Sequence, residues 1–532
     1  MHNPLHLGPV VHAVYHDQRV AEYRGNPWIE ALPPVVSRAE AKDRMAFYPE
    51  YDPADREANP EEREDAVSAK LGTARHPLSV HVELHSRLSK LIRQGYARRN
   101  PALARFQPDV EAAQRALRVE GTGRDAVVRG YDDLRAAPGP SATGLSLIGV
   151  TGIGKTKMVE MALGLYPAVI VHSEYRGKPF VRTQVISLTL TCTKEGSIKS
   201  LCHNFLLELD NALSFLPYPP SYLRDYTRGN PSIDRLVPRL AGLAAQHGLG
   251  VLVIDELQDL NPRGSRAILS FLVQLVNTIG VPVVLVGGID ALPILQAQFR
   301  QARRGATEGD MILDRPRKGR EWRELCEALW RYQYTTKETP LTDSLVDELY
   351  DLSQGITQWL VTGLKLAQSR AIATGLERVT PRLLRSVFTD SVVVAGPVLR
   401  ALRTGDEAEL RGRPDVRLPW DIAQVAIPFA AADPGEVRRL PQTPPLEPAE
   451  PSPVVQPAED FETPRRRRGQ LRSSREIDPE SLPARATLVA LAAEARAAGT
   501  SEHATFAACA LTAEGLDRGV ACVIARRSSY ER

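Results

Sequence analysis

The stretch GLSLIGVTGIGKTK, residues 144–157, constrains this chain more than any other. An apolar run leads into a glycine-rich turn matching G-x-x-x-x-G-K-[ST], and a helical pattern follows. A strand before the turn and a helix after it are the context that makes the pattern a phosphate-binding loop. The chemistry explains each position. Gly149, Gly152 and Gly154 let main-chain N–H groups curl around phosphates, and the helix start adds a favourable dipole. Lys155 reaches toward β- and γ-phosphates, and Thr156 is placed to ligate Mg2+. Thr151, Ile153 and Lys157 complete the expected ATP-binding set.

About one hundred residues later, VLVIDELQDL supplies a buried strand whose carboxyl end presents Asp255 and Glu256. Asp255 is expected to hold Mg2+ through water, and Glu256 to act as general base on the attacking water. A carboxylate pair, rather than one Asp, points to the AAA+ branch of P-loop ATPases. A third apolar run, VPVVLVGG at 281–288, is expected to lie between the two motif strands. A polar γ-phosphate sensor belongs at its end, but Gly287-Gly288-Ile289-Asp290 offers no Asn or Thr, leaving Asp290 or a main-chain group. Arg300, Arg303 and Arg304 follow. One of them is a candidate arginine finger on a neighbouring subunit's nucleotide, with a solvated or DNA-facing basic helix end as the other reading. In SQGITQWLVTGLK, Lys365 alone is a candidate second sensor.

The motif strands, together with VISLTL near 185–190, alternate with helical segments between about 138 and 320, which calls for a parallel α/β sheet. The expected fold is therefore an α/β AAA+ core with a parallel five-stranded sheet. Residues 1–75 are Pro-punctuated and polar with no long helical or strand period, and read as an extended docking arm. Residues 76–137 read as mostly helical, with Leu84, Leu88, Leu91 and Ile92 at helical spacing. Residues 321–398 read as a helical lid with breaks at Pro340, Gly355 and Pro381. Residues 399–480 form a Pro-rich flexible linker, and 481–532 a helical partner-binding tail.

At 532 residues, 43% hydrophobic and 25% charged, the chain suits two or three structured pieces. No apolar run approaches the length of a membrane span, and the first residues show no secretory pattern, so a cytoplasmic, membrane-free protein is expected. Five scattered cysteines form no CxxC pair and read as packing residues. Net charge is only +3, yet positives cluster at Arg303-Arg304, between Arg315 and Arg323, and at 465–468, where phosphate partners or solvated surface both fit.

SRLSKLIRQGYARRNP (86–101), the two ATPase motifs, TCTKEGSIKSLCHNFLLELD (191–210), FRQARRG and EWRELCEALWRYQYT (321–335) together resemble the TnsC/TniB family of AAA+ transposition regulators. The likeness covers roughly residues 76–395. It implies a bacterial ATPase that oligomerises as a ring or filament on double-stranded DNA. It also implies partners: transposase subunits and a target-selector protein of the TniQ or TnsD kind. Lys194, Ser197 and Lys199 in TKEGSIKS suit a phosphodiester backbone without reading bases, so DNA binding is expected to be sequence-tolerant and salt-sensitive; an N-cap serine with exposed lysines is the alternative. Two functions stay open. One is a matchmaker assembled by ATP binding and dismantled by hydrolysis; the other is a helicase-loader-like or defence NTPase whose output is turnover itself.

Overall fold

Why a parallel sheet forms is visible in its two central strands, where every residue is buried and neither face could meet water. The computed structural model describes residues 10–116, 118–120, 127–129, 144–192, 197–259, 280–292, 309–406, 410 and 415. In chain order the first elements are β1 (Val10–His12), α1 (Pro27–Glu30), α2 (Arg38–Met45), α3 (Pro60–Thr73), α4 (Ser79–Ala97) and α5 (Phe106–Ala116). A short antiparallel pair, β2 (Arg118–Glu120) and β3 (Val127–Arg129), follows. The centre comprises β4 (Gly144–Gly149), α6 (Lys155–Leu163), β5 (Val169–Tyr175), β6 (Lys178–Val185), β7 (Ser187–Thr191) and α7 (Ile198–Ala212). It continues through α8 (Tyr222–Thr227), α9 (Ile233–Gln246), β8 (Val251–Asp255), β9 (Val283–Gly287) and β10 (Asp310–Leu313). The lid is α10 (Arg320–Trp330), α11 (Asp343–Ser353), α12 (Thr357–Ala373), α13 (Pro381–Asp390) and α14 (Gly396–Thr404).

The main sheet has five parallel strands in the order β10-β4-β9-β8-β7. β9 lies between the two motif strands, as the sequence leads one to expect, with Gly144 beside Val283 and Leu252 on its other flank. A close approach fixes where α4 crosses the sheet. At Gly95 a Cβ would stand 2.5 Å from Pro282 Cγ, so glycine lets the helix settle onto the entry to β9.

A second sheet, β1-β5-β6, has no counterpart in the apolar runs of the sequence. Its hairpin turns at Arg176 (φ 50°) and Gly177 (φ 74°), two consecutive left-handed residues as a two-residue type I′ connection needs. β1 then adds in parallel to β5.

The largest departure from expectation is at the N-terminus. Residues 26–75 are not an extended arm but a folded layer carrying the 14-residue α3. Asn59 caps α3 through its side chain, Pro60 occupies the first turn, and Arg63, Val67 and Leu71 form its buried stripe. A stripe that thin in a charged helix leaves no strong period, which is why it is invisible in sequence. Trp28, Ile29 and Leu32 have no exposed surface. Trp28 stacks edgewise on Phe106 and packs against Tyr96, and its carbonyl accepts from Gln184 at 2.8 Å. The same layer reaches the lid through Lys42–Glu324, Arg56–Glu338 and Arg63–Glu377 ion pairs.

The expected linker does not begin at 399: residues 396–404 form α14, with Leu399 and Ala401 buried against the lid, so the lid runs past the expected boundary. Apart from 405, 406, 410 and 415, the rest of the linker, the arginines at 465–468 and the expected tail helix lie outside the described residues. Among the described residues no helix is long and apolar enough to cross a membrane.

Candidate nucleotide site

β4 ends at the loop, and glycine is required there for two different reasons. At Gly149 a Cβ would lie 2.8 Å from the Leu313 carbonyl oxygen and 2.9 Å from Ile153 Cδ1, so β10 and the buried Ile153 could not close around the strand end. Gly152 (φ +83°) and Gly154 (φ +91°) take the left-handed conformation, which turns the chain sharply into α6. The amides of the first turn of α6 then face the loop with the positive end of the helix dipole behind them. Lys155 folds its ammonium onto the loop, donating to the Gly149 and Val150 carbonyls at 3.0 and 3.2 Å.

The second half comes from β8. Asp255 is 6% exposed; its Oδ2 accepts from the Thr156 hydroxyl at 2.7 Å, and its Oδ1 from the Glu256 amide at 2.8 Å. Glu256 has φ +56°, an unfavourable conformation for a side chain of this size and of the kind held at functional sites. The Gln258 amide donates to Glu256 Oε2, and its Oε1 accepts from the Gly288 amide at 2.8 Å. A continuous polar chain, Thr156–Asp255–Glu256–Gln258–Gly288, therefore ties the carboxyl ends of β4, β8 and β9 together. The Thr156 hydroxyl and Asp255 carboxylate are adjacent hard oxygen donors, a set that fits Mg2+.

Burial pulls the Lys155 ammonium below its ordinary range, while the carboxylates of Glu256, Asp255, Asp290 and Asp415 act in the other direction. Asp290, at the rim, is raised by burial and by Asp415, with Lys155 opposing. The Thr151 amide donates to the Asp415 carbonyl at 2.9 Å, so a loop N–H carries an oxygen of the chain itself. The lid also touches the loop: the Gln358 amide donates to the Gly152 carbonyl at 3.1 Å. Cys192, whose amide donates to the Asp255 carbonyl, has its thiol pushed up to about 12 by burial and is no nucleophile.

Residues 141–295 match the family described as AAA domain, and these residues carry four of the five parallel strands. The core has the AAA+ P-loop fold. Solved structures similar to this chain include ORC2 of Aeropyrum pernix in ADPNP and ADP complexes, at 15% identity over 55% of this chain and 69% of that chain, with a TM-score of 0.30. The Walker-type ATPase PABY2304 of Pyrococcus abyssi is 15% identical over 51% of this chain and 71% of that one, with a TM-score of 0.32. A variant of Thermotoga maritima RuvB is 14% identical over 54% and 78%, with a TM-score of 0.29. No curated protein sequence matches the chain.

Within the AAA+ core, the residues expected around ATP, from Gly149 through Thr156, and the carboxylates Asp255 and Glu256 come together. Lys157 points its ammonium away, pairing with Glu160 at 2.6 Å, so only its main chain belongs to the loop. Lys365 is not a sensor in this arrangement: its Nζ packs over Gly72 of α3, 3.1 Å from where a Cβ would be. Gln358 stands at the loop instead. Gln258 occupies the position at the end of β9 where the sequence offers no Asn or Thr, and it escapes a search of that strand because it belongs to the β8 motif, two residues beyond Glu256. Ser197 caps α7, accepting from the Ser200 amide at 3.1 Å, while Lys199 bonds to Asn230. Arg300, Arg303, Arg304 and Lys194 lie outside the described residues. Between 315 and 323, four cations, Arg315, Lys318, Arg320 and Arg323, have carboxylate partners, so most of that cluster is neutralised within the protein.

Proposed function

We propose that the chain is an ATP-hydrolysing, DNA-binding regulator of transposition that uses nucleotide as a switch. The observation that carries the hydrolytic part is the Thr156–Asp255–Glu256–Gln258–Gly288 chain, which holds one carboxylate ready for a cation and the next oriented toward the loop. Thr156 and Asp255 would hold Mg2+, which when bound neutralises phosphate charge and orients the β- and γ-oxygens. Glu256 accepts a proton from the attacking water, Lys155 stabilises charge on the leaving phosphates, and Gln258 keeps the Glu256 carboxylate in place. Arg300, Arg303 or Arg304 would reach a neighbouring copy's phosphates.

The DNA and transposition parts rest on the sequence likeness to TnsC and TniB proteins. In that reading Lys194, Ser197 and Lys199 hold a duplex backbone, copies assemble as a ring or filament, and transposase and target selector dock at the two termini. The switch is tested by two substitutions in the full chain. Lys155→Ala should abolish nucleotide binding and ATP-dependent DNA assembly. Glu256→Gln should keep nucleotide binding, lower turnover by about a hundredfold or more, and lengthen the lifetime of DNA complexes measured by dissociation kinetics. A Glu256→Gln protein that binds ATP yet fails to assemble on DNA, where wild type succeeds, would make hydrolysis the working stroke and overturn the switch.

A further inference from the structure

A second cavity, of about 350 Å3, opens between α5, β6, α8 and α9 and shares no residue with the nucleotide site. It is flanked by the half of α9 that feeds the amino end of β8, whereas the phosphate-binding loop lies at the carboxyl ends of the strands. Its size falls in the range of small-ligand pockets, roughly 300–1,000 Å3. Two arginines line it. The Arg182 guanidinium lies 5.8 Å from the Phe106 ring centroid and 5.9 Å from that of Phe180. Arg239 lies 5.0 Å over Tyr226, whose other neighbour is the stacked Tyr222 ring at 5.7 Å. Each guanidinium is thus held against aromatic surface.

Several arginines of the described residues are paired with acids, Arg63 with Glu377 and Arg385 with Glu348 among them. Among the described residues Arg182 and Arg239 have no carboxylate within ion-pair distance, and no acidic residue lines the cavity. Two cations against one rim carboxylate, Glu111, which accepts from the lining Gln107 at 3.4 Å, leave an excess of positive charge that favours an anion there. An orientation-fixed guanidinium binds phosphate through its in-plane N–H edge and offers its outer plane to a flat ring, and the Gln246 amide adds a donor and an acceptor at the lining.

We propose that this cavity binds one nucleoside monophosphate unit, its phosphate on the edges of Arg182 and Arg239 and its base stacked on a guanidinium plane. The unit arrives either as a free nucleotide or as the phosphorylated end of a single strand. A flexible acidic peptide would supply the anion but leaves the flat guanidinium faces unused.

The test uses the full chain carrying Lys155→Ala, which empties the phosphate-binding loop of affinity. UMP and 5′-phosphorylated tetrathymidylate are titrated by calorimetry. One molar equivalent should bind, and Arg182→Gln with Arg239→Gln should weaken it by about a hundredfold, roughly tenfold for each charge-assisted hydrogen bond removed. Val110→Trp, which fills the cavity while sparing both arginines, should also abolish binding, so the result does not depend on one variant folding. Tighter binding of the strand than of UMP assigns the source to nucleic acid, and equal binding assigns it to free nucleotide. The proposal is overturned if neither ligand binds, if binding survives both kinds of variant, or if tetraglutamate competes as well as UMP. ATP binding that persists with Lys155→Ala and ignores the arginine substitutions would count against the loop assignment instead, so the two failures are distinguishable.

Discussion

Glu377 accepts both arms of the Arg63 guanidinium, at 2.7 and 2.9 Å, and Arg63 also donates to the Tyr334 carbonyl at 3.0 Å. The paired guanidinium holds the Glu377 carboxyl at about 2, well below its ordinary value of 4.5. A depressed carboxylate contributes stability above its unfolded value and loses it as pH falls through the folded one, so the window here runs from about 4.5 down to about 2. With both side chains largely shielded but water nearby, the pair is worth roughly 1–2 kcal/mol. Glu377→Gln should lower unfolding free energy by about that amount at pH 7, and the gap to wild type should narrow steadily in urea titrations between about pH 4.5 and about pH 3. A gap that stays constant over that range would remove the ion pair as its cause. At this scale the nucleotide site is largely legible in the sequence, because Gly149, Gly152, Gly154, Lys155, Thr156, Asp255 and Glu256 sit in two contiguous motifs whose spacing is local. Gln258 and Gln358 are not. Gln258 works by bridging two strands far apart in sequence, and Gln358 by a lid turn folding back onto Gly152; no local pattern announces either interaction.

At the scale of elements, two of the segments that resemble TnsC and TniB sequences are joints. In RQGYARRNP, Arg93 donates to the Pro33 carbonyl at 2.5 Å, Tyr96 to the Gly248 carbonyl at 2.6 Å, Arg99 to the Leu249 carbonyl at 2.8 Å and Asn100 to the Gly25 carbonyl at 2.9 Å. These bonds lock α4 between the N-terminal layer and the entry to β8. In WRYQYT, Tyr332 and Tyr334 take Tyr51 edgewise at 5.9 and 5.4 Å, and Tyr332 donates to the Pro49 carbonyl at 3.1 Å. The folded N-terminal layer is therefore written into segments distant from it, which is why residues 1–75 read alone give no sign of it. The amino end of α7 carries the duplex reading and its own test. Replacing Lys194 and Lys199 by alanine should weaken binding of unrelated duplexes about equally and reduce the slope of log affinity against log salt by about two, one for each phosphate neutralised. ATP binding should stay unchanged. An unaltered salt slope would move the DNA surface elsewhere.

For the whole molecule, the place of β9 between the two motif strands and the helical lid follow from apolar runs and their breaks, whereas the four-residue edge strand β10 is too short to stand out, and the β1-β5-β6 sheet escapes notice because its strands alternate in burial and mix charged residues with apolar ones. The composition beyond about residue 440, rich in Pro and Glu before four consecutive arginines, supports a tethered module. Deleting that portion should leave ATP-dependent DNA assembly intact and abolish capture of purified transposase in a pull-down; equal capture by the truncated chain would place transposase docking on the body. The N-terminal layer has a mechanical consequence. It is bonded to the sheet side through Asn26, Trp28 and Glu30 and to the lid side through Lys42, Arg56 and Arg63. It crosses the joint between them like a tendon across a knuckle. Any bend of the lid over the nucleotide loop would therefore have to stretch or slacken that tendon.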